Sequence, residues 1–161
     1  MEGEFVFLDN FIQYLRQQKS LRLIQNSLFI ACMSTFIVVP IAFLFAYALI
    51  RSAMPLKAFF RYFALIPLLA PSLLPAISFV YLFGNQGFLK SWMGGSSIYG
   101  AWGIVFGECF YVFPHVLMIL ISALSLSDAR LYEAAQSMGA NGLKKFFTIT
   151  LPSAKYGLIS A

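Results

Sequence analysis

With 161 residues, 60% of them hydrophobic and 11% charged, the chain carries more apolar surface than one water-soluble core can hide. Its net charge of +5 does not point to nucleic acid, because no basic cluster is interleaved with stacking aromatics. The bilayer is the solvent this composition suits.

Glu2, Glu4 and Asp9 precede the first apolar run, an order opposite to the basic-then-apolar start of a secretory signal peptide. Three stretches then run almost free of charge. Leu23 to Ile50 lies between Arg22 and Arg51, Tyr62 to Leu89 between Arg61 and Lys90, and 91–127 holds only Glu108 and His115. Each exceeds the roughly 20 residues that a helix needs to cross the hydrocarbon layer. The prediction is an all-α polytopic bundle with complete spans near 25–49, 63–83 and 100–124. A fourth is expected to begin near 153 and to be cut off at Ala161, as in a fragment of a longer protein.

Within the second predicted span, Pro67, Pro71 and Pro75 recur at i, i+4 and i+8 along one face, and each removes a backbone donor. That span is expected to kink or unwind, as a hinge or pathway wall or simply as a fixed bend. The third span carries the residues most costly in lipid. Glu108, Tyr111 and His115 fall near one helical face, where such groups line a bundle interior or a wet path. The alternative is that Glu108 is neutralised by another helix and His115 only packs. Gly100, Gly103 and Gly107 offer a small-residue approach for a neighbouring helix. Cys32 and Cys109 both fall inside spans and read as free thiols, with no metal-ligand spacing.

Basic residues gather in the first loop, with Arg51, Lys57 and Arg61, and after the third span, with Arg130, Lys144, Lys145 and Lys155. The second loop has Lys90 alone. By the charge rule for short loops the first and last of these face the cytoplasm and residues 1–22 form an extracytoplasmic segment. Arg51, Lys57 and Arg61 read as solvated orientation charges.

Segment 127–152 reads as two short helices split by a turn. Ser127 is expected to cap the first, with Asp128 in its first turn. Leu131, Ala134, Ala135 and Met138 would form its apolar stripe. Gly139 would end it and Asn141 cap the next, with Leu143, Phe146, Phe147 and Thr150 as a second stripe. Pro152 suits the start of a further helix.

Glu133-Ala134-Ala135, then Gly139, Ile149 and Leu151-Pro152, resemble at every defined position the cytoplasmic loop of ATP-binding-cassette importer permeases of the type I fold. Upstream, Asn26-Ser27-Leu28, Thr35 and Ala46-Tyr47-Ala48 ahead of Arg51 resemble the opening span of that family's core. The resemblance makes 23–161 a partial permease domain and 127–152 its coupling loop, docking on an ATPase through Glu133, Ala134, Ala135, Gly139, Ile149, Leu151 and Pro152. It implies an ATP-binding subunit, an extracytoplasmic solute-binding protein and a second permease half or copy, in a bacterial inner membrane. This chain has no G-x-x-x-x-G-K-[ST] phosphate loop, so ATP and magnesium belong to the partner, and no cofactor is expected here. The run Tyr81-Leu82-Phe83-Gly84-Asn85-Gln86-Gly87, then Ser97-Ile98-Tyr99-Gly100 and Phe113-Pro114-His115, is most similar to permeases for 2-aminoethylphosphonate, ferric iron and thiamine. The first of these solutes is favoured, with a polyamine as a further alternative. A small membrane assembly or regulatory protein, or an intramembrane enzyme using Glu108 and His115, are the readings from other classes.

Overall fold

The computed structural model describes residues 18–71, 73–94 and 98–161. The expected extracytoplasmic segment therefore lies mostly outside the described residues, as does Ser97. Residues 18–22 already belong to the first helix.

Helix α1 spans Gln18–Arg51, so the first span is longer at both ends than 25–49. At 34 residues it reaches about 51 Å, well beyond the hydrocarbon thickness. Helix α4, Ala101–Ser125, matches the predicted third span within one residue and measures about 37 Å. Both are long and apolar enough to cross a membrane.

The span expected at 63–83 is not one helix. Helix α2, Lys57–Leu65, runs into a 3₁₀ turn at Ile66–Leu69, and α3, Leu73–Phe83, departs from it at 101°. The break follows from the prolines. Pro67 starts the 3₁₀ turn. Ala70, the residue before Pro71, is extended at φ −81° and ψ 137°, because the proline ring disfavours the helical region for its predecessor. Two short bonds bridge the corner: the Ala70 N–H donates to the Pro67 carbonyl at 3.2 Å and the Leu74 N–H to that of Pro71 at 2.9 Å.

Ring contacts pair Phe29 with Trp102 and Phe45 with Phe113, and the Cys109 thiol approaches the Ser34 carbonyl. Partners on both helices thus rise together, so α1 and α4 are parallel. Two parallel spans require the chain between them to recross, and the bent α2–α3 pair makes that return. After α4 come α5, Ala129–Ser137, and α6, Gly142–Lys145. A π turn at Phe146–Thr150 then leads into α7, Leu151–Ser160.

The second short helix and the next span, expected as separate elements, are thus one helical run interrupted by π geometry. Pro152 explains the interruption: a proline ring clashes with the carbonyl four residues back. The π turn widens the spiral just before it, with the Leu151 N–H donating to Phe146 O, five residues back.

The core lies where α1, α4 and α7 meet. Val38, Ala42, Ala46 and Leu49 of α1 face Leu117, Leu120, Ile121 and Leu124 of α4, with Ala154 of α7 against them. Their 3–4 spacing places each set on one stripe. Small residues set the separation: a β-carbon added to Gly157 would lie 2.4 Å from that of Ala123. Lipid-level helices associate by this kind of close packing. Elsewhere Phe36, Leu44 and Phe106 are exposed along α1 and α4, as befits surfaces covered by lipid or further subunits rather than water. The molecule is an all-α, multi-pass membrane bundle.

Candidate coupling surface and solute path

At the C-terminal ends of α1 and α4, the chain turns into α5. Asp128, not Ser127, caps α5, accepting from the Arg130 N–H at 2.9 Å. Ser127 has a different task, as an acceptor for Arg51. The helix closes on Gly139 at φ +73°, a left-handed conformation that glycine adopts without β-carbon strain. The Gly139 N–H donates to Gln136 O and the Ala140 N–H to Ala135 O, both at 2.9 Å, the two bonds of a Schellman closure. Asn141 caps α6, accepting from the Lys144 N–H at 2.9 Å, as its position suggested.

Both expected apolar stripes are divided. Ala135 turns inward and is buried, while Leu131, Ala134 and Met138 stay on the outside. Phe146 packs edge-on against Phe43 and Tyr47 of α1, with ring centroids 5.9 and 5.4 Å away, and Thr150 is fully buried. Leu143 and Phe147 face out, 72% and 61% exposed. A surface of Leu131, Glu133, Ala134, Met138, Leu143 and Phe147 is thus presented away from the bundle. Ile149 is half-buried and Leu151 and Pro152 start α7 on an exposed side, so the matched motif combines outward contacts with inward structural positions.

Arg51 is not the solvated charge its position suggested. Its Nη2 donates to the carbonyls of Leu124 and Ser127, both at 3.2 Å, and to the Ser127 hydroxyl. Its guanidinium lies 3.9 Å from the centroid of the Tyr132 ring. The Tyr132 hydroxyl meets Thr150 Oγ1 at 2.9 Å. One cation thus caps the open carbonyls at the end of α4 and seats α5 through its aromatic face. The sequence offered only an arginine at a span end and a tyrosine beside the Glu-Ala-Ala run. Neither implies the other without the fold.

Further along α4, Glu108 and Tyr111 line a cavity of about 450 Å³ together with Tyr99, Pro75, Phe79 and Gly103. His115 is not part of its wall. Its ring lies beside Tyr111, centroids 5.6 Å apart, with Nδ1 3.3 Å from the Tyr111 carbonyl oxygen. Pro67 and Pro75 both line an apolar cavity beside Phe79 and Phe110; Pro75 also reaches the Glu108 cavity, and Pro67 another apolar one against α1 and α4. Among the described residues no other helix packs on these glycines: a β-carbon on Gly103 would overlap the Ile98 carbonyl at 1.6 Å, whereas one on Gly107 meets nothing within 4 Å. Gly103 admits the chain's own preceding turn, and Gly107 opens onto the cavity.

Among known proteins, the family model described as binding-protein-dependent transport system inner membrane component matches residues 39–161. The spermidine/putrescine transport system permease protein PotC homolog of Mycoplasma genitalium is 30% identical over 136 residues, covering 84% of this chain and 46% of its own length. The molybdenum transport system permease protein ModB of Escherichia coli K12 is 29% identical over 137 residues, covering 83% and 60% respectively. The chain spans about half the length of the curated relatives it matches. With the matched region covering α4, the Arg51 cluster and everything from α5 to α7, the chain belongs to the family of binding-protein-dependent transport system inner membrane components.

Proposed function

We propose that this chain is the membrane permease part of an ATP-binding-cassette importer in a bacterial inner membrane. It couples ATP hydrolysis on a separate subunit to uptake of a small solute delivered by an extracytoplasmic binding protein. A second permease half or copy completes the path. The end bearing Arg51 and residues 127–152 is cytoplasmic, and α5, α6 and the π turn form the docking element. The observation that carries this reading is the outward surface around Glu133. Apolar side chains standing free beside a carboxylate suit a groove on a partner with a basic contact. Copurification of the ATPase subunit with the full transporter is the test. Glu133→Lys should abolish it, and undiminished recovery of the ATPase would refute docking through this face.

The solute reading rests on the cavity. Glu108 is the one charged side chain among its described lining residues, and Tyr99 and Tyr111 flank it with aromatic faces, a combination that favours an ammonium group. 2-Aminoethylphosphonate supplies an ammonium, but its phosphonate would need a cation that this cavity lacks among the described residues. A polyamine supplies ammonium groups alone, and an oxyanion such as molybdate would be repelled by Glu108. Competition uptake in whole cells separates these solutes: spermidine or 2-aminoethylphosphonate should compete with the native solute. Competition by molybdate alone would overturn the amine reading.

A further inference from the structure

We infer that Arg51 is the positioning residue that makes the coupling element move as one body with the spans, an inference that rests on the docking role proposed for α5. Three elements meet at this side chain, and a fourth is reached through Tyr132. Arg51 ends α1, its Nη2 holds the Leu124 and Ser127 carbonyls at the end of α4, and its guanidinium covers Tyr132 of α5. Tyr132 in turn reaches Thr150 at the threshold of α7. On α1, one to two turns before Arg51, Phe43 and Tyr47 grip Phe146 of the π turn. A partner pulling on the outer face of α5 therefore pulls on the ends of α1, α4 and α7 together.

The chemistry suits transmission rather than docking. Arg51 is half-buried and Thr150 fully so, so neither belongs to the outward face. A charge-assisted contact in such a setting is strong and directional. Arg51 Nε is buried with no hydrogen-bond acceptor among the described residues, so the side chain is held through Nη2 and its face alone. An element that passes a partner's motion to the spans needs a stiff joint of this kind. Lysine should replace it only in part: an ammonium can donate to the same carbonyls but lacks the planar guanidinium that also covers the Tyr132 ring.

The test uses the complete transporter in proteoliposomes, with ATPase subunit and binding protein. Arg51→Ala should leave the ATPase bound, because the Glu133 surface is untouched, yet lower uptake about tenfold, the scale of a lost charge-assisted hydrogen bond. ATP hydrolysis should continue, so more ATP is consumed per solute moved. Arg51→Lys should recover part of the loss. Tyr132→Leu should reproduce it, and the double variant Arg51→Ala/Tyr132→Leu should be no worse than either single one, because both break the same joint. Hydrogen exchange across α5 should rise in Arg51→Ala and less in Arg51→Lys. Unchanged ATP-to-solute ratios, additive losses in the double variant, or equal damage from Ala and Lys would each overturn the inference. If Glu133→Lys leaves the ATPase bound, the docking reading fails. If Glu133→Lys releases it while Arg51→Ala couples normally, only the role of Arg51 fails.

Discussion

The bundle keeps two polar sites on α4, about 24 Å apart along its axis, and they are built on opposite terms. At the C-terminal end of α4 Arg51 finds carbonyls, a hydroxyl and an aromatic face within its own chain. At the other, Glu108 has no hydrogen bond or ion pair among the described residues and stands open on a cavity. Ionisable groups are costly at membrane depth unless something repays them. For Arg51 the repayment is internal and consists of structure. For Glu108 it must come from outside the described residues, from solute, water or another subunit. Satisfied charge marks a joint here, and the open carboxylate is what the proposed amine path rests on.

The most severe way to break this contrast is at Gly103, where the cavity wall depends on backbone contact. A β-carbon there overlaps the Ile98 carbonyl at 1.6 Å, and no side-chain motion relieves a clash with backbone. Gly103→Val should force the 98–103 turn away from α4 and reduce uptake below detection, with a lowered thermal midpoint in detergent. Gly107→Leu supplies the control on the same cavity. Nothing lies within 4 Å of its added β-carbon, so folding should be kept while the leucine occupies the space. Uptake should then fall with the thermal midpoint unchanged; normal uptake would remove the cavity from the solute path.

A smaller effect is expected at Glu108 itself. Glu108→Gln keeps shape and removes charge, and uptake of an ammonium-bearing solute should drop about tenfold, the worth of one charged hydrogen bond. ATPase copurification should be unaffected, because the site lies far from α5. Equal uptake in the variant, at equal expression, would make Glu108 a bystander and undo the contrast with Arg51.

Much of this layout was legible in the sequence, and the limits have physical causes. The ends of α4 followed from a long apolar run, and the broken return from three prolines, since both signals act within a short stretch of chain. The extension of α1 to Gln18 was hidden because Lys19 and Arg22 read as loop charges, although a helix can continue past the bilayer carrying them. The partition of Phe146 from Phe147 escaped stripe counting, because the π turn shifts the angular register that a 3.6 period assumes. The Arg51 cluster escaped for another reason: it joins residues more than 70 positions apart, at 51 and 124–127, and long-range pairing leaves no periodic trace.

The mildest expected change is at Gly139, and it measures how far α5 and α6 depend on their own closure rather than on Arg51. Its φ of +73° would strain any β-carbon by about 1 kcal/mol, yet nothing lies within 4 Å to clash with one. Gly139→Ala should therefore lower stability by about that amount. Gly139→Asn should cost less, because asparagine tolerates the left-handed region. Transport should stay within a few-fold of normal in both, since Arg51, Tyr132 and Phe146 still hold the element from the inside. Thermal midpoint and uptake of the two variants, measured side by side, check this. A loss from Gly139→Ala as large as that from Arg51→Ala would mean that the turn, and not the arginine, fixes where α5 sits.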